Sequence, residues 1–128
     1  MLTDVKDKVV WITGASSGIG AAAAVALSEA GARVIVSGRR EDRLNALAQT
    51  LDGAEVAVLD VSDATAVNAV VAMILEKFGR IDILVHSAGL NVKNRAWSEL
   101  TIEDWNTVIQ VDLNGAFYCC QAVLPFMR

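Results

Sequence analysis

The sequence has few of the residue types on which disulfide-rich and metal-binding proteins depend. Among 128 residues it contains two cysteines, one histidine and one proline. Cys119 and Cys120 are adjacent, and neighbours on a helix point in different directions, so a bridge between them is not expected. His86, as the single histidine, offers no partner for a zinc-type ligand set. We therefore expect free thiols in a reducing cytoplasm and no metal.

Positive charge is scarce, and no apolar stretch runs uninterrupted for the length of a membrane span. The net charge is -4 at pH 7 and no basic run occurs, which argues against a nucleic-acid partner. The first eight residues carry charges and lack an apolar targeting core. Glu29 and Arg33 interrupt the apolar stretch 18–38, whose glycines predict a helix and then a strand. We expect a cytoplasmic protein without a membrane partner.

The sequence does contain a regular alternation of short apolar runs and amphipathic segments. The apolar runs predict strands over Val9–Ile12, Arg33–Val36, Val56–Leu59 and Ile81–Val85. The periodicity between these runs predicts helices over Ile19–Ala30 and Glu41–Leu51. A third predicted helix has Ser62 as its N-cap and ends at Gly79. The last predicted helix is capped at Thr101 and carries Trp105–Met127. Such alternation predicts one α/β domain over residues 1–128, a doubly wound parallel sheet of four strands in the order 3-2-1-4.

The segment between the first strand and the first helix is rich in glycine and reads Thr13-Gly14-Ala15-Ser16-Ser17-Gly18-Ile19-Gly20. Glycine permits unusual backbone angles and a close approach to a pyrophosphate, while the helix N-terminus offers free N–H groups. A glycine-rich turn without a ligand is the alternative. The strand–helix context favours a dinucleotide loop, whose predicted contacts are Gly14, Ser16, Ser17, Gly18, Ile19 and Gly20.

Arg39 and Arg40 follow the second predicted strand, where a dinucleotide site meets the adenosine ribose. An acidic residue there favours a free 2′-hydroxyl, whereas an arginine can pair with a 2′-phosphate. Neither Gly38 nor Arg39 is acidic, so the sequence favours NADP(H), with NAD(H) as the alternative. Both arginines could instead only solvate the start of a surface helix.

The glycine run closely resembles the cofactor motif of the short-chain dehydrogenase/reductase family, and the resemblance continues at the later strand ends. Asp60-Val61 stands where the family places an acidic residue near the adenine, with an N-cap as a compatible role. Ser87-Ala88-Gly89 resembles part of the family's Asn-Asn-Ala-Gly motif, with His86 and Ser87 at the asparagine positions. The resemblance implies a Rossmann fold and cofactor contacts from these two segments. His86 titrates near neutrality, which suggests a catalytic role, but it has no obvious carboxylate or serine partner in the sequence. A structural role or a backbone contact to the cofactor is therefore favoured for His86.

The family's proton relay uses a serine, and a tyrosine followed four residues later by a lysine. Here the last lysine is Lys93 and the only tyrosine is Tyr118, so no tyrosine precedes a lysine. Asp112 stands at the position of a family asparagine and is the one catalytic candidate. Asn114 lies two residues later, about 200° further around a helix, so it is not expected to replace that asparagine. The resemblance implies a truncated, N-terminal half of an oxidoreductase for an alcohol/carbonyl pair, not catalytic in isolation.

Two other functions stay open, a non-enzymatic nucleotide-binding module and a structural oligomerisation module. Without further strands, Ile81–Val85 forms an open apolar edge, and the helix Trp105–Met127 lacks a neighbour for its apolar face. We expect a homo-oligomer through that edge or that helix. Assembly with a separate second half is the alternative.

Overall fold

The computed structural model describes residues 4–127, which form four strands, five α-helices, one π-helical turn and one 3-10 turn. The strands are β1 (Val9–Thr13), β2 (Arg33–Gly38), β3 (Glu55–Val58) and β4 (Ile83–His86). The helices are α1 (Gly18–Glu29), α2 (Glu41–Gln49), α3 (Ala64–Phe78), α4 (Ile102–Val108) and α5 (Gly115–Val123). A π-helical turn, Ile109–Asn114, joins α4 to α5, and a 3-10 turn, Leu124–Phe126, follows α5.

The four strands form one parallel sheet in the order β3-β2-β1-β4. Trp11 at the centre of β1 stands opposite Ile35 of β2 on one side and Leu84 of β4 on the other. The predicted doubly wound (Rossmann) α/β fold and its strand order are therefore confirmed. Because β1 is central, the loop that follows it lies in the middle of the carboxyl edge of the sheet.

Alternate residues of the central strands bury opposite faces of the sheet. Val9 and Trp11 of β1 pack with residues of α3 and α5, whereas Val10 and Ile12 pack with residues of α1 and α2. All five residues of β1 are buried. The indole Nε1 of Trp11 donates a hydrogen bond of 2.9 Å to Ser37 Oγ, so the polar atom of this buried ring has a partner.

The predicted N-cap of α3 is wrong by one residue. Asp63 caps the helix by accepting a hydrogen bond from the Ala66 amide at 3.1 Å. Ser62 instead donates its hydroxyl at 2.7 Å and its amide at 3.0 Å to Asp60 Oδ1. Asp60 thus binds Ser62 in an Asx-type turn before the helix begins, so Ser62 is not the cap. Gly79 ends α3, as predicted, and the structure shows that it does so in a left-handed conformation.

The sequence predicts the edge strand over Ile81–Val85, but β4 spans Ile83–His86. It therefore begins two residues later and ends one residue later than predicted. The carboxylate of Asp82 accepts the Val9 amide at 2.8 Å, so a side chain replaces the backbone acceptor at this point of the ladder. Within residues 4–127, β4 pairs only with β1, and its other edge has no strand beside it.

The predicted last helix is interrupted. It begins where Thr101 accepts the Asp104 amide at 3.0 Å, which confirms the predicted cap, and it changes to π-helical geometry at Ile109. Cys119 and Cys120 are free thiols on α5. Burial raises the pKa of the Cys119 thiol to about 12, and the neighbouring Cys120 adds to the rise. Over the described residues, no helix combines the length and the apolarity needed to cross a bilayer.

Candidate functional site

The carboxyl ends of the strands and the loops that follow them enclose a cleft of about 490 Å³. This volume falls within the usual range for small-molecule sites. The cleft lies above β1, between the loops after β2 and β4, which is the ligand position expected for a doubly wound sheet. Its walls are formed by Gly14, Ser16, Ser17, Gly18, Ile19, Gly38, Arg39, Arg40, Leu59, Asp60, Val61, Ser87, Ala88, Gly89, Leu90 and Val111.

Each of the three glycines in the loop after β1 suits its position for a different structural reason. Gly14 has φ of 65°, and a Cβ there would lie 2.5 Å from the Ser87 carbonyl. Gly20 sits behind the loop, where a Cβ would lie 2.2 Å from the Gly14 carbonyl oxygen. Gly18 has φ of 60° and faces open space. Of the predicted loop contacts, Gly20 alone does not line the cleft; it lets α1 approach the loop.

The N-terminus of α1 faces this cleft without compensating groups of its own. Ser17 stands at the N-cap position, but its hydroxyl makes no capping hydrogen bond. The first turn contains no acidic residue. The first N–H groups of the helix and its partial positive charge are therefore directed at the cleft, a combination that favours an anion.

Ser16 contributes a hydroxyl that has no partner. Its Oγ is buried and makes no hydrogen bond to any of the described residues. The same atom would lie 2.4 Å from a Cβ at Gly38, so the glycine at the end of β2 leaves room for it. A buried hydroxyl without a partner is costly, and a polar group bound in the cleft would relieve that cost.

Arg39 and Arg40 both reach the cleft, as predicted, but they differ in their contacts. Arg40 Nε lies 3.6 Å from Asp42 Oδ1 in the first turn of α2, an exposed pair. Arg39 is exposed and forms no ion pair within residues 4–127. Of the two arginines, Arg39 is therefore the cation whose charge is more available to a ligand.

Asp60 and Val61 form the wall of the cleft after β3. Hydrogen bonds from the hydroxyl and the amide of Ser62 lower the pKa of Asp60, while slight burial opposes them and the charge of Arg39 adds to the lowering. Asp60 is therefore ionised at neutral pH. Val61 is buried, and its Cγ2 would lie 2.6 Å from a Cβ at Gly115, so α5 can approach this loop only with glycine there.

The loops after β1 and β4 are joined through the buried hydroxyl of Thr13. Thr13 Oγ1 accepts the amides of Ser87 at 3.2 Å and Ala88 at 3.3 Å, and lies 2.9 Å from His86 Nδ1. Burial lowers the pKa of His86, while the negative charge of Asp112 acts in the opposite direction. His86 lies outside the cleft and supports its wall, in keeping with the structural role favoured from the sequence.

Asp112 lies in the π-helical turn and does not line the cleft. Its Oδ1 accepts the Leu90 amide at 2.8 Å and is placed against Gly89. The carboxylate thus holds the loop after β4 to the last helix. Asn114 does not share this contact; its amide donates to Gln110 Oε1 at 2.8 Å. Single-turn π-helical geometry is frequent at functional sites.

Sequence reasoning missed several residues of the site. Leu59, Leu90 and Val111 supply apolar wall that no motif indicated, and Gly38 was considered only as a non-acidic residue. Thr13 belongs to the glycine run, and the signal that could have identified it was a threonine at the end of a fully apolar strand. No three histidine, cysteine, aspartate or glutamate side chains gather as potential metal ligands among residues 4–127.

Comparison with known proteins identifies the family. The model of the short chain dehydrogenase family matches residues 8–128 of this sequence. The chain belongs to the short-chain dehydrogenase family. Relatives include an uncharacterised oxidoreductase of Staphylococcus epidermidis, 39% identical over 127 residues, which cover 98% of this chain and 55% of the relative. A 3beta-hydroxysteroid dehydrogenase of Mediterraneibacter gnavus is 37% identical over 126 residues, with 95% and 46% covered.

Solved dehydrogenase structures share the fold. A short chain dehydrogenase from Bacillus anthracis superposes with a TM-score of 0.88 at 37% identity, covering 93% of this chain and 49% of the other. The ligand-free aldohexose dehydrogenase of Thermoplasma acidophilum gives a TM-score of 0.84 at 29% identity, covering 97% and 46%. The chain therefore spans about half the length of the curated relatives it matches.

Proposed function

We propose that residues 1–128 form one dinucleotide-binding domain of an oxidoreductase that acts on an alcohol/carbonyl pair. The observation that carries this proposal is the uncapped N-terminus of α1, which faces the cleft beside the glycine loop. Ser16 adds a buried hydroxyl that has no partner among residues 4–127, and Gly18 leaves open space for a bound group. These features fit the phosphates of a dinucleotide. A bound nicotinamide would supply hydride transfer, and the described residues would bind and orient it.

Within this site, each predicted contact has a proposed role. The glycine loop would hold the pyrophosphate, and Asp60 with Val61 would flank the adenine. The segment Ser87-Ala88-Gly89 would line the opposite wall. Asp112 is proposed as a support for that segment rather than as a group that contacts the cofactor, because its carboxylate bonds the Leu90 amide.

We further propose that the cleft favours NADP(H) over NAD(H). Arg39 directly follows β2, lines the cleft and forms no ion pair with the described acids, although its charge is near enough to Asp60 to help lower the pKa of that carboxyl. A guanidinium at this position can form charge-assisted hydrogen bonds to a 2′-phosphate. Gly38 beside it carries no acid that would bind a ribose 2′-hydroxyl instead.

The Arg39→Ala variant is expected to weaken NADPH binding by about 10- to 100-fold, the effect of losing hydrogen bonds to a charged group. Binding of NADH should change by less than about threefold, because NADH has no 2′-phosphate. Fluorescence titration with NADPH and NADH measures both affinities. Arg43→Ala is the matched control, since Arg43 is exposed on α2 and lies outside the cleft.

Two results would contradict these proposals separately. Equal losses for NADPH and NADH in Arg39→Ala, or no loss, would refute the assignment of the 2′-phosphate to Arg39. A wild-type chain that shows neither saturable binding nor a thermal shift with any dinucleotide would refute the site itself. That second result would favour the structural oligomerisation module.

Turnover is proposed to need residues outside this chain. No tyrosine here is followed by a lysine four residues later, and Tyr118 packs against the apolar core. We accordingly expect cofactor binding without catalysis by the isolated chain. A reducing, cytoplasmic location is consistent with the two free thiols on α5.

We propose that the chain self-associates through the last helix or the edge of β4. Three large apolar side chains of this region are exposed: Leu113 in the π-helical turn is 62% exposed, Phe117 on α5 is 58% exposed, and Leu124 in the 3-10 turn is 51% exposed. Exposed patches of large apolar side chains mark sites of interaction with other proteins. β4 adds an edge without a neighbouring strand within residues 4–127.

The Phe117→Glu variant is expected to raise the dissociation constant of the homo-oligomer by roughly 30-fold, the effect of losing an interface residue worth about 2 kcal/mol. Light scattering over a wide concentration range measures the assembly. Ala46→Glu on the exposed side of α2, across the sheet, is the control. A wild type that is monomeric throughout would contradict self-association, and an unaffected oligomer in Phe117→Glu would leave the β4 edge as the contact.

A further inference from the structure

Thr13 is the junction between the two loops that form the centre of the cleft. The residue is fully buried, and its Oγ1 has three neighbours at hydrogen-bond distance. Two of them, the Ser87 and Ala88 amides, can act only as donors. The third is His86 Nδ1, at 2.9 Å, which donates or accepts according to its protonation.

The proton count of a hydroxyl decides the state of His86. A hydroxyl has one proton and two lone pairs, and the two amides occupy both lone pairs. The proton of Thr13 must therefore point to His86 Nδ1, which has to be unprotonated. A neutral His86 then carries its proton on Nε2, which is buried and has no hydrogen-bond partner among residues 4–127.

We propose that His86 is a positioning residue: its unprotonated Nδ1 holds the Thr13 hydroxyl so that this hydroxyl anchors Ser87 and Ala88 at the wall of the cleft, and protonation of His86 releases them. The inference rests on the proposed function, because the Ser87–Ala88 segment matters to the extent that the cleft binds a dinucleotide. His86 itself does not line the cleft and acts through Thr13.

Protonation of His86 conflicts with the hydrogen bonds of Thr13. Both ring nitrogens of a charged histidine are donors, so Nδ1–H would face an oxygen whose lone pairs are already occupied. Thr13 would have to give up one amide to accept the new proton. The Ser87–Ala88 segment would lose an anchor, and the cleft wall that it forms would loosen.

The charged and titratable groups around His86 are few. Burial lowers its pKa, and the Asp112 carboxylate on the π-helical turn partly offsets the lowering. β1 carries no titratable residue, and α5, which packs against β4, carries Tyr118, Cys119 and Cys120 but no acidic, basic or histidine side chain. Because its pKa is lowered, His86 is neutral at pH 7. As the pH falls below 6.5, the ordinary pKa of a histidine, protonation of His86 destabilises the fold.

His86 is the only histidine of the chain, so nuclear magnetic resonance reports on it without assignment ambiguity. At pH 8 the ring 15N shifts of the full chain are expected to show a proton on Nε2 and none on Nδ1. The Ser87 and Ala88 amides are expected to show lower hydrogen-exchange protection factors at pH 5 than at pH 8. A proton on Nδ1 at pH 8, or unchanged protection, would overturn the proposal.

The second measurement is the affinity for NADP⁺, followed by calorimetry from pH 8 to pH 5. His86→Asn is the conservative variant, since its amide oxygen can accept the Thr13 proton and does not titrate. Between pH 8 and pH 5 the wild type is expected to lose about five- to tenfold more affinity than His86→Asn, the equivalent of one hydrogen bond. Titration of the ligand's own 2′-phosphate affects both proteins equally.

The outcomes separate this proposal from the proposed function. Parallel pH profiles in the wild type and His86→Asn would overturn the role of His86 while leaving the dinucleotide site intact. No binding of NADP⁺ at any pH would refute the proposed function, and the ring protonation state and amide protection would still test His86. His86→Leu, which cannot accept the Thr13 proton, is expected to lose protection at Ser87 and Ala88 even at pH 8.

Discussion

Replacing Gly14 with alanine is expected to lower the free energy of unfolding by roughly 2–5 kcal/mol and to abolish dinucleotide binding. The backbone contributes about 1–2 kcal/mol, because Gly14 has φ of 65°, in the left-handed region that is unfavourable for residues with a Cβ. Overpacking adds about 1–3 kcal/mol, since the new methyl would lie 2.5 Å from the carbonyl of Ser87. The contact is with backbone, so no side-chain rotation can relieve it.

The loss of binding follows from the same contact. To accommodate a Cβ at Gly14, the loops after β1 and β4 must separate, and the three bonds to Thr13 that join them would lengthen or break. Urea unfolding followed by circular dichroism measures the stability, and NADPH titration measures the binding.

Gly53→Ala is the matched control for Gly14→Ala. Gly53 has φ of 69°, close to that of Gly14, but none of the described atoms lies within 4 Å of its Cβ position. The control should therefore show only the backbone penalty of about 1–2 kcal/mol and keep its affinity for NADPH. Equal effects of the two substitutions would contradict the role assigned to the close approach of Gly14 and Ser87.

The second large effect is expected at the centre of the sheet, where Trp11→Ala should destabilise the fold by about 3–5 kcal/mol. Trp11 is the largest fully buried side chain and lies on the central strand, opposite Ile35 and Leu84. The substitution leaves a cavity and also removes the donor that bonds Ser37 Oγ. Urea unfolding followed by circular dichroism at 222 nm, where the helical backbone dominates the signal, measures the change.

Trp97→Ala is the control for the loss of a tryptophan as such. Trp97 is 89% exposed, so its removal from this chain should change the unfolding free energy by less than about 0.5 kcal/mol. A Trp11→Ala protein as stable as Trp97→Ala would contradict the packing of the sheet described above.

Much of the fold could be predicted because its signals are local. The apolar run at Val9–Ile12, the alternation of strands and helices, and the glycine at position 79 each act within a few residues. The handedness of parallel crossovers then restricts the order of the strands. The strand ends therefore gather the predicted cleft residues, with the exception of Gly20.

The errors share a physical cause, which is competition between a local signal and a distant or tertiary partner. Ser62 has the properties of an N-cap, but Asp60 binds its hydroxyl and amide. Just before β4, the Asp82 carboxylate accepts the Val9 amide from 73 residues away, a contact that the apolar run Ile81–Val85 does not indicate. The π-helical turn places Asp112 on the Leu90 amide, a contact that helical periodicity alone does not indicate.

The sequence by itself determined the family, the doubly wound sheet and the segments that meet at its carboxyl edge, because motif spacing and hydrophobic period are carried by neighbouring residues. The tertiary structure alone decided which atoms meet there. It placed Ser87 against Gly14, brought Thr13 Oγ1 within 2.9 Å of His86 Nδ1, and left Ser16 Oγ without a hydrogen-bond partner among residues 4–127. The first two contacts join residues that are far apart in the sequence, and only the folded sheet brings them together.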